Sequence, residues 1–142
     1  MTDAKGTDAK GTNATGANVK GVGIDVVNIE RIETMLAKHP ERMKGKVFTQ
    51  AEFAYAEAKS NGNAQQLASS LAARWAAKEA VAKALGTGFG EGLYWQNIEV
   101  ISDGGPPQVV LRDVSAELAS KRFLLSISHD YPTATAIAML VE

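Results

Sequence analysis

The sequence predicts an α+β fold, a mostly antiparallel sheet packed against one long helix. Three observations carry that prediction. A short alternating run, "GVGIDVV" at 21–27, opens the ordered part of the chain. Three helical stretches follow it, the last an alanine-rich segment closed by glycine. Beyond "GTGFGEG" the pattern changes to short β-type runs separated by turn signals. Strands linked by short turns pair antiparallel, and their segregation from the helices sets the class.

Taken in order, residues 2–21 are four five-residue units, "TDAKG", "TDAKG", "TNATG" and "ANVKG". They offer almost nothing to bury and cannot offset their own ordering entropy. Residues 1–19 are therefore expected to be a flexible extension without catalytic value, and residues 20–142 a single domain. In "GVGIDVV", Val22, Ile24 and Val26 alternate with Gly23, Asp25 and Val27, the period of a strand. Asn28 caps a helix through "IERIETMLAKH" with Ile29, Ile32, Met35 and Leu36 as its apolar stripe, and Pro40 marks its end.

"FTQAEF" carries a sharper start signal. Thr49 and Glu52 form a capping box, and Phe48 and Phe53 can staple across it. This second helix is expected to reach about Lys59 and dissolve into the loop "SNGNAQQ". The third should run from about Leu67 to Leu85, with Gly86 as its C-cap. The later runs "NIEVI", "QVVLR", "FLLSIS" and "TATAIAMLV" read as strands, punctuated by "DGGPP" and "DYP", with a short helix in "DVSAELASK".

Composition narrows the function. With 142 residues, 45% of them hydrophobic, the chain can build one ordinary core. A net charge of -1 gives no field that demands nucleic acid. The absence of cysteine excludes disulfides, thiolate zinc sites and cysteine nucleophiles, and fits a reducing cytoplasm. No apolar stretch approaches the roughly 20 residues needed to cross a bilayer. The N-terminus lacks the apolar run of a signal peptide, so the expected location is cytoplasmic and no membrane partner is implied.

The chemistry concentrates in "LAARWAAKEAVAKALGTG", Leu71 to Gly88. At 100° per residue, Ala72, Ala76, Glu79, Lys83 and Gly86 share one stripe, so a carboxylate and an ammonium stand among very small neighbours. Another backbone or a ligand can approach closely there. Arg74 and Lys78 form a second pair on a different side. By spacing alone, Glu79 and Lys83 equally fit an exposed i, i+4 salt bridge of about 0.2–0.5 kcal/mol. The closing "GTG" offers amides to phosphate oxygens or serves only as a helix cap.

Asp25 is the other unusual position, because a lone carboxylate within a strand is costly unless paired, hydrogen-bonded or bound to metal. It either ends the strand and supports the Asn28 cap, or joins Glu79 as a ligand of one Mg²⁺. Magnesium commonly takes one or two protein carboxylates and fills its other positions with water and phosphate oxygens. His129, Trp75, Trp95 and His39 each have an ordinary structural reading: an exposed turn histidine, two packing indoles and a helix-end histidine.

With these residues placed, the chain resembles the holo-acyl-carrier-protein synthases, the small phosphopantetheinyl transferases. The resemblance rests on "GVGIDVVNIERIE", "FTQAE" and "LAARWAAKEAVAKALGTG", followed in order by "VISDGGPPQVVL" and "LLSISHD". It spans roughly residues 20–142. It implies transfer of the 4'-phosphopantetheine arm of coenzyme A to a serine of an acyl carrier protein or carrier domain. The other product is adenosine 3',5'-bisphosphate.

By the same resemblance Asp25 and Glu79 match Mg²⁺ ligands, and Lys83 matches a lysine that contacts the coenzyme phosphates. Arg74, Gly86, Thr87, Gly88 and His129 match further coenzyme-binding positions. The "NIERIE" helix matches a carrier-docking helix in which Arg31 takes a basic contact position. Met35 and Lys38 are further docking candidates, Lys38 within a basic cluster with Arg42, Lys44 and Lys46 that suits an acidic carrier. A homotrimer with sites between subunits is implied. The nucleophile then belongs to the carrier, and either Glu79 or a metal-bound water serves as general base. A non-catalytic α+β oligomer that binds a carrier or nucleotide is the alternative reading.

Overall fold

A computed structural model describes residues 18–90 and 92–142. Most of the N-terminal repeat lies outside the described residues, and its expected flexibility is a reading of sequence alone. The last unit of the repeat contributes to the fold: strand β1 (Val19–Asn28) begins inside it, and Lys20 pairs with Glu142 at 2.9 Å.

Asn28 ends β1 and caps helix α1 (Ile29–Lys38), its side chain accepting from the Glu30 amide at 2.8 Å. After His39, where Pro40 marks the end of α1, the chain stays helical. It continues as a helical turn, α2 (Pro40–Arg42), and a π turn over Met43–Val47. Proline at the first position of α2 costs no hydrogen bond, and Met43 and Val47 gain burial in the core.

Helix α3 (Gln50–Ser60) starts at the predicted capping box. The Thr49 hydroxyl accepts from the Glu52 amide, and the Glu52 carboxylate accepts from the Thr49 amide. Helix α4 (Ala64–Leu85) begins three residues earlier than expected. Asn61 takes a left-handed conformation and Asn63 caps the new helix, so the turn is only Asn61–Asn63. Asparagine tolerates both roles, which compresses what reads as a seven-residue loop.

The second half supplies the sheets. Strand β2 (Ile98–Ile101) pairs antiparallel with β3 (Gln108–Leu111). After the short helix α5 (Ala116–Ala119), β4 (Arg122–Asp130) and β5 (Thr133–Val141) form a hairpin. β1 joins the free side of β5, giving a three-stranded antiparallel sheet in the order β1-β5-β4. The α+β class and every predicted strand are present.

Helix α4 is the axis of the molecule, packed against β1 and β5 on one side and α1 and α3 on the other. That explains its alanines. A helix covered nearly all round has no room for an ordinary amphipathic stripe. The closest approach is to β1, where a Cβ on Gly21 or Gly23 would overlap the carbonyl oxygen of Ala84 or Ala80. The alanines that receive this backbone, Ala80 and Ala84, lie beside the Glu79–Lys83 stripe rather than on it.

Candidate active site

The glycine contacts fix how Asp25 meets α4. β1 runs against the helix direction, with Gly21 at Ala84 and Gly23 at Ala80. Two strand residues advance about 6.6 Å and four helical residues about 6 Å, so the next inward position of β1 lies one further turn back along α4. That inward position is Asp25, level with Ala76, and its charge is felt by Glu79 on the adjoining stripe. Glycines at 21 and 23 let the strand lie so close that a carboxylate on it reaches the helix surface.

Lys83 crosses the same contact. Its ammonium donates to Asp25 Oδ1 at 3.1 Å and to the Ile24 carbonyl at 2.9 Å. The expected Glu79–Lys83 surface pair is not formed; among the described residues Glu79 has no salt bridge. Burial, and then the Asp25 charge, push the Glu79 carboxyl above its ordinary value, while Lys83 and Arg31 act in the opposite sense. Arg31 lies over the Trp75 ring at 5.5 Å, one helical turn before Glu79. Asp25, Glu79, Lys83 and Arg31 thus converge on the β1 flank of α4.

Arg74 and His129 converge elsewhere. They line a groove of about 640 Å³ on the β4 side of α4, with Tyr55, Lys59, Ser102 and Tyr131. Arg74 is 5% exposed, and its guanidinium lies 4.5 Å from the centre of the Tyr55 ring. It donates to Ser70 and Ser102, and its Nε has no partner. His129 is exposed at the end of β4. Within one chain this pair does not share a groove with Asp25 and Glu79.

The glycine turn differs from its expected use. Gly86 has a φ of 83° and donates to the Lys83 carbonyl at 3.0 Å, while the Gly88 amide donates to Ala82 at 3.3 Å. Two of the amides expected to be free for phosphate therefore satisfy the end of α4, because helix carbonyls need local partners first.

The docking candidates Arg31, Met35 and Lys38 occupy one face of α1, spaced by four and three residues. A second groove, about 590 Å³, adjoins this face and is lined by Met35, Arg42, Lys46, Trp75 and Trp95 among others. The two indoles pack as expected, with centroids 4.4 Å apart, and Phe89 stacks on Trp95 at 4.2 Å.

One cluster was invisible in the sequence. Lys78 is fully buried and forms a 2.8 Å salt bridge with the equally buried Glu52. Its remaining protons go to the carbonyls of Trp95 and Ile98. Glu52 also accepts from the Val100 amide at 2.7 Å. Burial lowers the pKa of Lys78 and the Glu52 charge opposes that shift. The only available signal, a glutamate in a capping box, pointed to a purely local role for Glu52.

Comparison with known proteins defines the class. The 4'-phosphopantetheinyl transferase superfamily profile matches residues 21–136, and the chain belongs to that superfamily. More particularly, it is 48% identical over 115 residues to the holo-[acyl-carrier-protein] synthase of Chlamydia trachomatis serovar D, covering 80% of this chain and 92% of that one. Its fold is similar to the Bacillus anthracis holo-(acyl-carrier-protein) synthase solved in complex with CoA (3',5'-ADP). There the TM-score is 0.72 at 34% identity, over 89% of this chain and 99% of that one. A Helicobacter pylori synthase solved with coenzyme A has a TM-score of 0.70 at 26% identity, over 84% and 98% of the two chains.

Proposed function

We propose that this chain transfers the 4'-phosphopantetheine arm of coenzyme A to a serine of an acyl carrier protein or carrier domain. The carrier passes from apo to holo form, adenosine 3',5'-bisphosphate is released, and the product serves fatty acid biosynthesis in the cytoplasm. Family membership supports the reaction class. The observation that carries the site is the convergence of Asp25, Glu79 and Lys83 across the β1–α4 contact.

Asp25 and Glu79 suit a hard divalent cation. They are two oxygen donors close enough for the charge of one to raise the pKa of the other, a strain that a cation relieves. Among the described residues no third His, Asp or Glu joins them. A magnesium ion held by two carboxylates would leave positions for a diphosphate. When bound, Mg²⁺ supplies charge neutralisation for the diphosphate and its departing phosphate.

The chain's own residues do the rest. Lys83, half-exposed on a flexible stem, presents an ammonium to the phosphates. Glu79 is the carboxylate on this flank placed to accept the proton of the attacking serine. No serine nucleophile is required from this chain, since the carrier provides it. Orientation and charge stabilisation then account for most of the rate.

A homotrimer with sites between subunits is supported by two features. Val22, Ile24 and Val26 are 53%, 58% and 65% exposed on the sheet face away from α4. Ile24 pairs with Ile137, and Met139 bridges Val22 and Leu124, so the apolar surface continues across all three strands. A bare apolar sheet face is unusual unless another surface covers it. The separation of Arg74 and His129 from Asp25 and Glu79 also fits a coenzyme that spans two subunits. Carrier docking falls to Arg31, Met35 and Lys38, extended by Arg42 and Lys46, which suit an acidic partner.

The test is direct. Incubated with coenzyme A, Mg²⁺ and an apo carrier, the protein should add the mass of the phosphopantetheine arm to the carrier, read by intact mass spectrometry. A carrier that binds yet stays unmodified across several apo partners would favour the binding-only reading.

A further inference from the structure

Lys83 is drawn toward β1 although water is available to it. Its side chain is 51% exposed, yet the ammonium rests between Asp25 Oδ1 and the Ile24 carbonyl. The Asp25 side chain is only 15% exposed, so few directions of approach to its carboxylate remain open. The ammonium takes one of them. Glu79, on the same flank, makes no salt bridge among the described residues.

Building on the reading that Asp25 and Glu79 hold the divalent cation, we infer that Lys83 competes with that cation for Asp25 until the coenzyme diphosphate draws the lysine away. An ammonium in contact with one ligand stands close enough to a second cation to repel it strongly in a half-buried site. A diphosphate offers Lys83 more negative charge than one carboxylate does, and its four-carbon stem lets the head move without moving α4. Coenzyme binding therefore unmasks Asp25, and cation and coenzyme load cooperatively. By reciprocity, the cation strengthens coenzyme binding by the same factor. The carboxylate pair is kept from filling firmly with a cation before its substrate arrives.

The experiment uses Mn²⁺ as the probe, with the unbound ion followed by electron paramagnetic resonance. The full chain is titrated with and without coenzyme A, and carrier is omitted so that nothing turns over. Lys83→Met should bind Mn²⁺ about tenfold more tightly than wild type when coenzyme is absent. The gain in Mn²⁺ affinity on adding coenzyme A should shrink in the variant by a matching factor. Lys83→Gln, which keeps a hydrogen-bond donor and loses the charge, should behave like Lys83→Met. Adding Asp25→Asn to Lys83→Met should erase the tightening.

If Lys83→Met and Lys83→Gln bind Mn²⁺ no better than wild type, or if their tightening survives Asp25→Asn, the competition is overturned. Should wild type with coenzyme A still lose Mn²⁺ on Asp25→Asn or Glu79→Gln, the metal assignment stands without it. Indifference of the coenzyme complex to both of those substitutions would remove the metal assignment itself.

Discussion

Replacing Lys78 by methionine removes an ammonium that three partners share: the Glu52 carboxylate and the carbonyls of Trp95 and Ile98. Methionine fills much of the volume, so the cost comes from what is left behind. Glu52 would keep its charge at full burial with only the Thr49 and Val100 amides as donors. An uncompensated buried charge of this kind costs about 3–5 kcal/mol. For a domain of this size that lowers the melting temperature by about 10–20 °C.

The carbonyl of Trp95 would also lose its tie to α4, loosening the stack that Trp95 makes with Trp75 and Phe89. Glu52→Gln added to Lys78→Met removes the orphaned charge and should recover about 1.5–3 kcal/mol of the loss. Thermal and urea unfolding of the four proteins at one fixed concentration measures that coupling. Should Lys78→Met cost less than about 1 kcal/mol, or the two changes simply add, the pair behaves as a solvated one and the argument from burial fails.

The raised pKa of Glu79 gives a pH signature. Burial and the Asp25 charge favour its protonated form in the folded state. The native protein therefore binds the proton more tightly than the unfolded chain, and stability falls as pH rises from the ordinary value of 4.5 through the higher folded value. Glu79→Gln should flatten that decline and melt higher than wild type at neutral pH, while transferring no phosphopantetheine. A variant whose melting temperature tracks wild type at every pH would contradict it. Ile24→Glu places a charge on the bare sheet face opposite Ile137 and should leave the proposed trimer monomeric in sedimentation, with loss of transfer; a variant that sediments as wild type does would rule out this face as the interface. Deleting residues 1–17, which precede β1, should leave kcat/KM within about twofold. A larger fall would give the repeat a role in assembly or docking.

Local signals were legible because they depend on neighbours a few residues apart. The Thr49–Glu52 capping box, the Asn28 cap, the Gly86 stop and all five strands follow from short-range chemistry. The start of α4 was misplaced because Asn61 and Asn63 make a turn tighter than their composition suggests. The helical turns over Pro40–Val47 were missed because what stabilises them is burial of Met43 and Val47 against distant segments.

For the site, residue type and order were enough to single out Asp25, Glu79, Lys83 and their place in a recognisable superfamily. Partners across the fold were not legible. That Lys83 would choose Asp25 over Glu79 depends on the approach that Gly21 and Gly23 permit. That Lys78 would be buried against Glu52 depends on where α3 and β2 pack around α4. Nor could the sequence say which side of β1 faces inward, since Val22, Ile24 and Val26 point out while Gly21, Gly23 and Asp25 point in with Val27. Helix starts, stops and strand periods are set by forces acting within a few residues, so the linear order records them. Which charges meet, and which face is covered, is set by packing between segments far apart in the chain, and only the folded molecule decides it.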